Sequence, residues 1–234
     1  MRAVQISSFG SPVEVAKLVE SPEPGPVGPE EALIQVEYSP IDPADLLQIR
    51  GLYGVRPKLP APAGSEGVGR VIAVGDNVQN VSLGDRVLLP MGKPAWQEFV
   101  LAPAKELFVA PDADPKQLSM LAINPPTAAL MLKSYVKLSP GDWIIQNAGN
   151  SGVGRAISAF SREWGLRLIS VVRRESLVEQ LKGEAHEIVL MEGRDLAARV
   201  AEATGKAPIR LGLDALAGDA GFSLAMTLAA NATM

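Results

Sequence analysis

The stretch Asp142–Gly165, DWIIQNAGNSGVGRAISAFSREWG, decides how this chain is read. It opens with a short apolar run, WIIQN, then turns through GNSGVG at Gly149–Gly154. Apolar residues follow at Val153, Ala156, Ile157, Phe160 and Trp164, the spacing of an amphipathic helix, with Gly165 as its C-terminal stop. Strand, glycine turn and helix in that order make a dinucleotide fingerprint. Gly149 permits a tight turn, which presents backbone N–H groups at a helix N-terminus where the dipole favours a pyrophosphate. Gly152 and Gly154 remove side chains where the helix lies close to the strand. The middle glycine of G-x-G-x-x-G is replaced by Ser151, whose hydroxyl can still donate to a phosphate. Gly149, Asn150, Ser151, Gly152, Val153 and Gly154 are therefore candidate cofactor-binding residues.

Downstream, strand and helix patterns alternate: RLISVVRR, SLVEQLKGE, EIVLM, DLAARVAEAT, RLGLDAL, GFSLAMTLAA. That alternation predicts an α/β unit with a doubly wound parallel sheet. The second strand ends at Arg173 and Arg174, 24 residues beyond Gly149. An NAD enzyme places Asp or Glu there, whereas two guanidinium groups suit a 2′-phosphate. NADPH is the expected cofactor, with Glu175 lying past the strand end. The closing NATM reads as the start of a fifth strand. Such a sheet has about six strands, so the sheet is expected to be truncated after four. A chain cut there leaves an unprotected sheet edge and is expected to be poorly stable and inactive alone.

Upstream the pattern is β. MRAVQI, VEVAKLV, EALIQVEYS, GRVIAVG, DRVLLP and AWQEFVLA are short strands between turn signals, which predicts a sandwich or barrel. SPEPGPVGPEE is a surface loop between strands. Near residue 112 the pattern changes, and DADPKQLSMLAI and PTAALMLKSYVKL read as helices. The expected domains are residues 1–115 and 116–234. Gly64–Gly69, GSEGVG, shares the spelling of the later loop, but a Pro-rich loop precedes it and an alternating strand follows. With no helix after it, it offers no phosphate site.

Of 234 residues, 47% are hydrophobic and 21% charged, with net charge −4. No Lys/Arg run points to nucleic acid, and no apolar run is long enough to span a bilayer. MRAVQISSFG lacks a secretory or transit pattern, so a cytoplasmic location is expected. Cysteine is absent and histidine occurs once. That excludes disulfides, a thiolate nucleophile and zinc sites built from Cys and His. A Ser–His–Asp triad would need His186, which reads as a polar residue at a strand entrance.

PAPAGSEGVGRVIAVGDNV followed by LGDRV resembles the medium-chain dehydrogenase/reductase superfamily. Its zinc members carry G-H-E-x-x-G-x-V at this point, with the His on zinc; here that position is Ser65. Their zinc cysteine corresponds to Asp42 in Asp42-Pro43-Ala44-Asp45-Leu46, and the cysteine-rich lobe is missing. The resemblance is thus to the zinc-free branch of quinone and enoyl reductases, and it covers about two-thirds of a family member. It implies a GroES-like β-barrel-type domain ahead of the Rossmann sheet, no metal and a homodimer.

INPPTAALML, QNAGNSGVGRA and DLLQIRGLYGVRP further resemble the mitochondrial-type trans-2-enoyl-thioester reductases. The resemblance implies NADPH-dependent reduction of an enoyl thioester, with Tyr53 as the catalytic tyrosine. It also places Asn124 and Thr127 near the nicotinamide. Asp42 departs from the pattern, where Asn is common. From the sequence, Asn124 before Pro125 is also a good helix N-cap. Asp214 at the end of the fourth strand reads as structural, and Trp143 and Trp164 as core. Lys133, Lys137 and Arg155 could assist an acidic CoA or carrier-protein substrate. The alternatives are an NADPH:quinone reductase and a non-catalytic NADPH-binding protein.

Overall fold

The computed structural model describes residues 1–184 and 187–234, so His186 lies outside the described residues. The chain forms two compact units, Met1–Ile123 and Asn124–Met234. The division falls later than the 115/116 boundary expected from the sequence. Pro115 opens the short helix α3 (Pro115–Leu118), whose Leu118 is buried, and Lys116 lies over the Tyr38 ring, so this segment stays with the first unit.

The first unit is β-rich. Strands β1 (Arg2–Ile6), β2 (Ala16–Glu20) and β4 (Ala61–Pro62) form a three-stranded sheet in the order β2-β1-β4. Strands β3 (Glu31–Tyr38), β5 (Val68–Val74), β6 (Arg86–Leu88), β7 (Phe99–Pro103) and β8 (Phe108–Val109) form an antiparallel sheet in the order β7-β3-β5-β6-β8. Ala32, Ile34, Val71, Val87, Leu89 and Val100 fill its core. The expected strand VEVAKLV begins only at Ala16. Pro12 at the first helical position bends the chain into the turn α1 (Pro12–Val15), closed by Val15 N–H on Ser11 O. Helix α2 (Pro43–Ile49) buries Ile49 against Ile6 and Ala63.

In GSEGVG the glycines serve packing. Gly64 has φ +92, and a Cβ there would lie 2.3 Å from the Trp96 ring; at Gly69 it would meet the Gln35 carbonyl of the neighbouring strand at 2.4 Å.

The second unit is the doubly wound sheet. Strands β9 (Trp143–Asn147), β10 (Arg167–Val172), β11 (Ile188–Met191) and β12 (Ile209–Leu213) run parallel in the order β11-β10-β9-β12. Side chains alternate between the faces, save where the register shift between Ile209 and Leu211 turns these two to opposite faces. Ile144, Leu168, Leu211 and Leu213 meet α4 (Asn124–Lys133) and α5 (Gly152–Glu163) through Ala128, Leu132 and Ile157. Ile145, Ile169, Val171 and Ile209 meet α7 (Leu196–Ala203) and α8 (Gly218–Ala225) through Leu196, Val200 and Leu224. Helix α6 (Glu175–Gly183) follows β10 and buries Leu181 against Val172 and Val189. Both faces are covered, so β9 is buried along its whole length. Ile144 and Ile145 each contribute about 1.5–3 kcal/mol by leaving water.

The helix expected over PTAALMLKSYVKL ends at Lys133. The chain then turns so that Val136 and Leu138 pack on the cluster of Leu132 and Ile144. Thr233 pairs in parallel with Leu211, beside the outer edge of β12.

Candidate nucleotide-binding site

The loop between β9 and α5 is built from below. Gln146, a polar residue in the apolar strand, donates through Nε2 to the Gly154 carbonyl at 3.0 Å and to Ser170 Oγ at 2.9 Å. That side chain is 1% exposed and ties strand, loop and helix together. The left-handed residue of the turn is Ala148, with φ +49, and not Gly149. Gly149 is needed for close approach, since a Cβ there would lie 2.8 Å from Ser170 Cβ. At Gly154 a Cβ would meet Ala148 O at 2.7 Å, so the helix lies directly on the loop, as the fingerprint requires. Gly152 faces α4 rather than the strand, where a Cβ would lie 2.8 Å from Asn124 Cγ.

Ser151 is the N-cap of α5, and its Oγ accepts from the Gly154 N–H at 3.0 Å. Its O–H remains able to donate. The first N–H groups of a helix have no intrahelical partner. Ser151 takes that of Gly154, which leaves those of Gly152 and Val153 for an anion at the positive end of the dipole. The residues present therefore fit a pyrophosphate.

Beside this turn is a recess of about 100 Å³ lined by Ala148, Asn150, Val172, Arg173, Arg174, Leu177, Glu192 and Leu216. It brings Asn150 and both arginines together. Arg173 and Arg174 are exposed, and neither is ion-paired among the described residues. Glu192, unremarked in the sequence, lines the same recess. It follows the third strand, and nothing in its local spelling marks it as a site residue.

Asn124 is the first residue of α4, not the residue before it as an N-cap would be. Its side chain lies against Gly152. Thr127 sits three residues on, on the same face of the helix. Asp214 closes β12 as a structural hub, accepting from Asn147 Nδ2 at 2.5 Å and from the N–H groups of Leu216 and Ala217. Burial alone would raise its carboxyl, but these hydrogen bonds outweigh burial and hold it below the usual range. Arg155 is paired with Glu184 at 2.7 Å, and Lys133 lies 4.3 Å from the Trp164 ring centroid, so both have local roles.

In the first unit, Tyr53 lies in the loop after α2 and is 44% exposed, with Leu52 and Val55 also exposed beside it in sequence. Ser65, at the position of the zinc histidine, donates to Asp45 Oδ1 at 2.5 Å. Among the described residues no group of three or more His, Cys, Asp or Glu is placed to hold a metal ion.

Residues 28–112 match the alcohol dehydrogenase GroES-like domain. The chain is 40% identical over 189 residues to the mitochondrial enoyl-[acyl-carrier-protein] reductase of Caenorhabditis elegans, covering 80% of this chain and 54% of that protein. Against the enzyme of the same description from Dictyostelium discoideum it is 35% identical over 242 residues, covering 100% of this chain and 69% of the relative. It spans little more than half the length of two such relatives from C. elegans, 54% and 58%. Two solved structures share its fold with a TM-score of 0.88. One is the mitochondrial 2-enoyl thioester reductase Etr1p/Etr2p heterodimer from Candida tropicalis, at 28% identity, covering 99% of this chain and 74% of that one. The other is the Etr1p/NADP/crotonyl-CoA complex, at 27% identity, covering 99% and 73%. The chain belongs to the medium-chain dehydrogenase/reductase superfamily, on the zinc-free branch of the mitochondrial-type enoyl thioester reductases.

Proposed function

We propose that this chain carries the cofactor and substrate machinery of an NADPH-dependent enoyl-thioester reductase. The observation that carries the reading is the β9–α5 loop, closed by glycine contacts around helix N–H groups open to an anion, beside two arginines that are not ion-paired among the described residues. Gly149, Asn150, Ser151, Gly152, Val153 and Gly154 cradle the pyrophosphate. Arg173 and Arg174 hold the 2′-phosphate. Asn124 and Thr127 hold the nicotinamide end. The first unit, Met1–Ile123, supplies the substrate side and the second, Asn124–Met234, the cofactor side.

When bound, NADPH supplies a hydride for the β-carbon of the double bond. Tyr53 hydrogen-bonds the thioester oxygen as it gains charge and supplies the proton that the α-carbon takes. The apolar neighbours of Tyr53 suit an acyl group. A homodimer is the proposed assembly. The relatives are described as mitochondrial, so the cytoplasmic location expected from the sequence is a proposal that cell fractionation decides.

The test is reduction of a trans-2-enoyl-CoA by NADPH in this chain. The expected result is turnover that Tyr53→Phe lowers about a hundredfold or more while NADPH affinity stays unchanged. Full turnover in Tyr53→Phe would remove the tyrosine mechanism. NADPH binding with no reduction would leave a non-catalytic binding protein.

A further inference from the structure

In the parallel sheet, β10 and β11 lie on one side of β9 and β12 lies on the other. The chain leaves β9 for α5 on one face of the sheet, where Ile157 packs, and leaves β12 for α8 on the opposite face, where Leu224 packs. The two loops therefore part at the carboxyl ends of neighbouring strands, which opens a crevice between them. A side-chain hydrogen bond spans its floor. Leu213 pairs with Gln146 in the sheet, and the next residues along, Asp214 and Asn147, meet through their side chains.

Asn147 is 4% exposed. Its Oδ1 accepts from the Ala215 N–H at 2.8 Å, which orients the amide so that Nδ2 donates to Asp214 Oδ1 at 2.5 Å. The Asp214 carboxylate in turn accepts from the Leu216 N–H at 3.0 Å and from the Ala217 N–H at 3.1 and 3.2 Å. The first turn of α8 also closes on it, since a Cβ at Gly221 would lie 2.5 Å from Oδ2. Two side chains thus hold three successive N–H groups, and the turn they hold is not relaxed. Ala217 has φ +57 and ψ −166, a conformation that suits glycine and persists in alanine only where the surroundings impose it. The turn presents Leu216. Its side chain is exposed, and it lines the recess shared with Asn150 of the glycine loop and with Arg173 and Arg174.

We propose that Asn147 and Asp214 form a clamp across this crevice that sets the spacing between the glycine loop and Leu216, and so fits the recess to the adenosine 2′-phosphate half of the cofactor. The clamp's purpose rests on reading the glycine loop and the two arginines as the cofactor site. Asn147 and Asp214 are positioning residues, because they hold the loops and act on the ligand through them.

The test combines amide hydrogen exchange at Ala215, Leu216 and Ala217 in the chain without cofactor with the Kd for adenosine 2′,5′-bisphosphate and for NADPH. Asn147→Ala removes the acceptor of the Ala215 N–H but leaves Leu216 and Ala217 their own acceptor, Asp214. A clamp predicts that all three amides lose protection, those of Leu216 and Ala217 about tenfold, while Ile144 and Ile145 of β9 keep theirs. The Kd for both ligands then rises about tenfold. Asp214→Asn keeps an acceptor at Oδ1 and stays within about threefold of the wild type in both readouts. Leu216→Ala leaves the three amides protected and raises the Kd for the bisphosphate about fivefold, so it decides the point if Asn147→Ala does not fold. Loss of protection at Ala215 alone in Asn147→Ala would overturn the proposal. So would a wild-type Kd for the bisphosphate in Asn147→Ala or Leu216→Ala, or binding by Asp214→Asn as weak as by Asn147→Ala. A wild-type chain that binds neither ligand would instead overturn the cofactor reading, and exchange at Leu216 and Ala217 would still decide the clamp.

Discussion

Arg173, Arg174 and Glu192 line one recess, and in the proposed reading the two arginines carry the choice of cofactor. Changing both arginines to Ala should weaken NADPH binding about tenfold or more while leaving NADH within about twofold, since only NADPH carries the 2′-phosphate. Fluorescence titration of the two cofactors reads this. Glu192→Gln should strengthen NADPH binding about two- to fivefold by removing a like charge, and an unchanged Kd would show that Glu192 points away from the phosphate. That Arg173 and Arg174 stand beside the glycine loop was legible, because they end a strand at a set distance from it. Glu192 was not, because folding brings it in from a different strand.

At the scale of elements, the β9–α5 unit was the most legible part of the chain, since the strand, glycine and helix patterns agree. What the letters hid is how each glycine serves. Gly149 clears Ser170 of the neighbouring strand and Gly152 clears Asn124 of α4, partners that are distant in sequence. The cap was hidden too, because Ser151 read as a flaw in the fingerprint whereas it holds the Gly154 N–H. Ser151→Ala should cost about 1 kcal/mol in chemical denaturation. Gly149→Ala should cost about 1–3 kcal/mol, because neither backbone nor Ser170 can give way in a packed strand. Element ends were less legible. VEVAKLV and SYVKL carry the right periodicity, but a proline turn and an apolar cluster decide where the regular structure stops.

Over the whole molecule, two carboxyl sites set opposite pH trends. Glu66 is held above the ordinary carboxyl range, at about 8 against 4.5. The folded chain therefore binds more protons than the unfolded chain between those values, and this contribution to stability falls as pH rises across that window. Asp214 is held below its ordinary value, so its contribution is present above the carboxylate range and is lost as pH falls through its folded value. Thermal melts across pH should show a shallower alkaline decline in Asp42→Asn and a shallower acid decline in Asp214→Asn. The two-unit plan and the parallel sheet could be read from the alternation of patterns, whereas the raised Glu66 carboxyl could not, since Asp42 acts on Glu66 only in three dimensions. The most direct measurement of the central claim is NADPH oxidation with a trans-2-enoyl-CoA beside a quinone in this chain. The account predicts consumption of the enoyl-CoA, faster with NADPH than with NADH. Reduction of the quinone with the enoyl-CoA left untouched would contradict it.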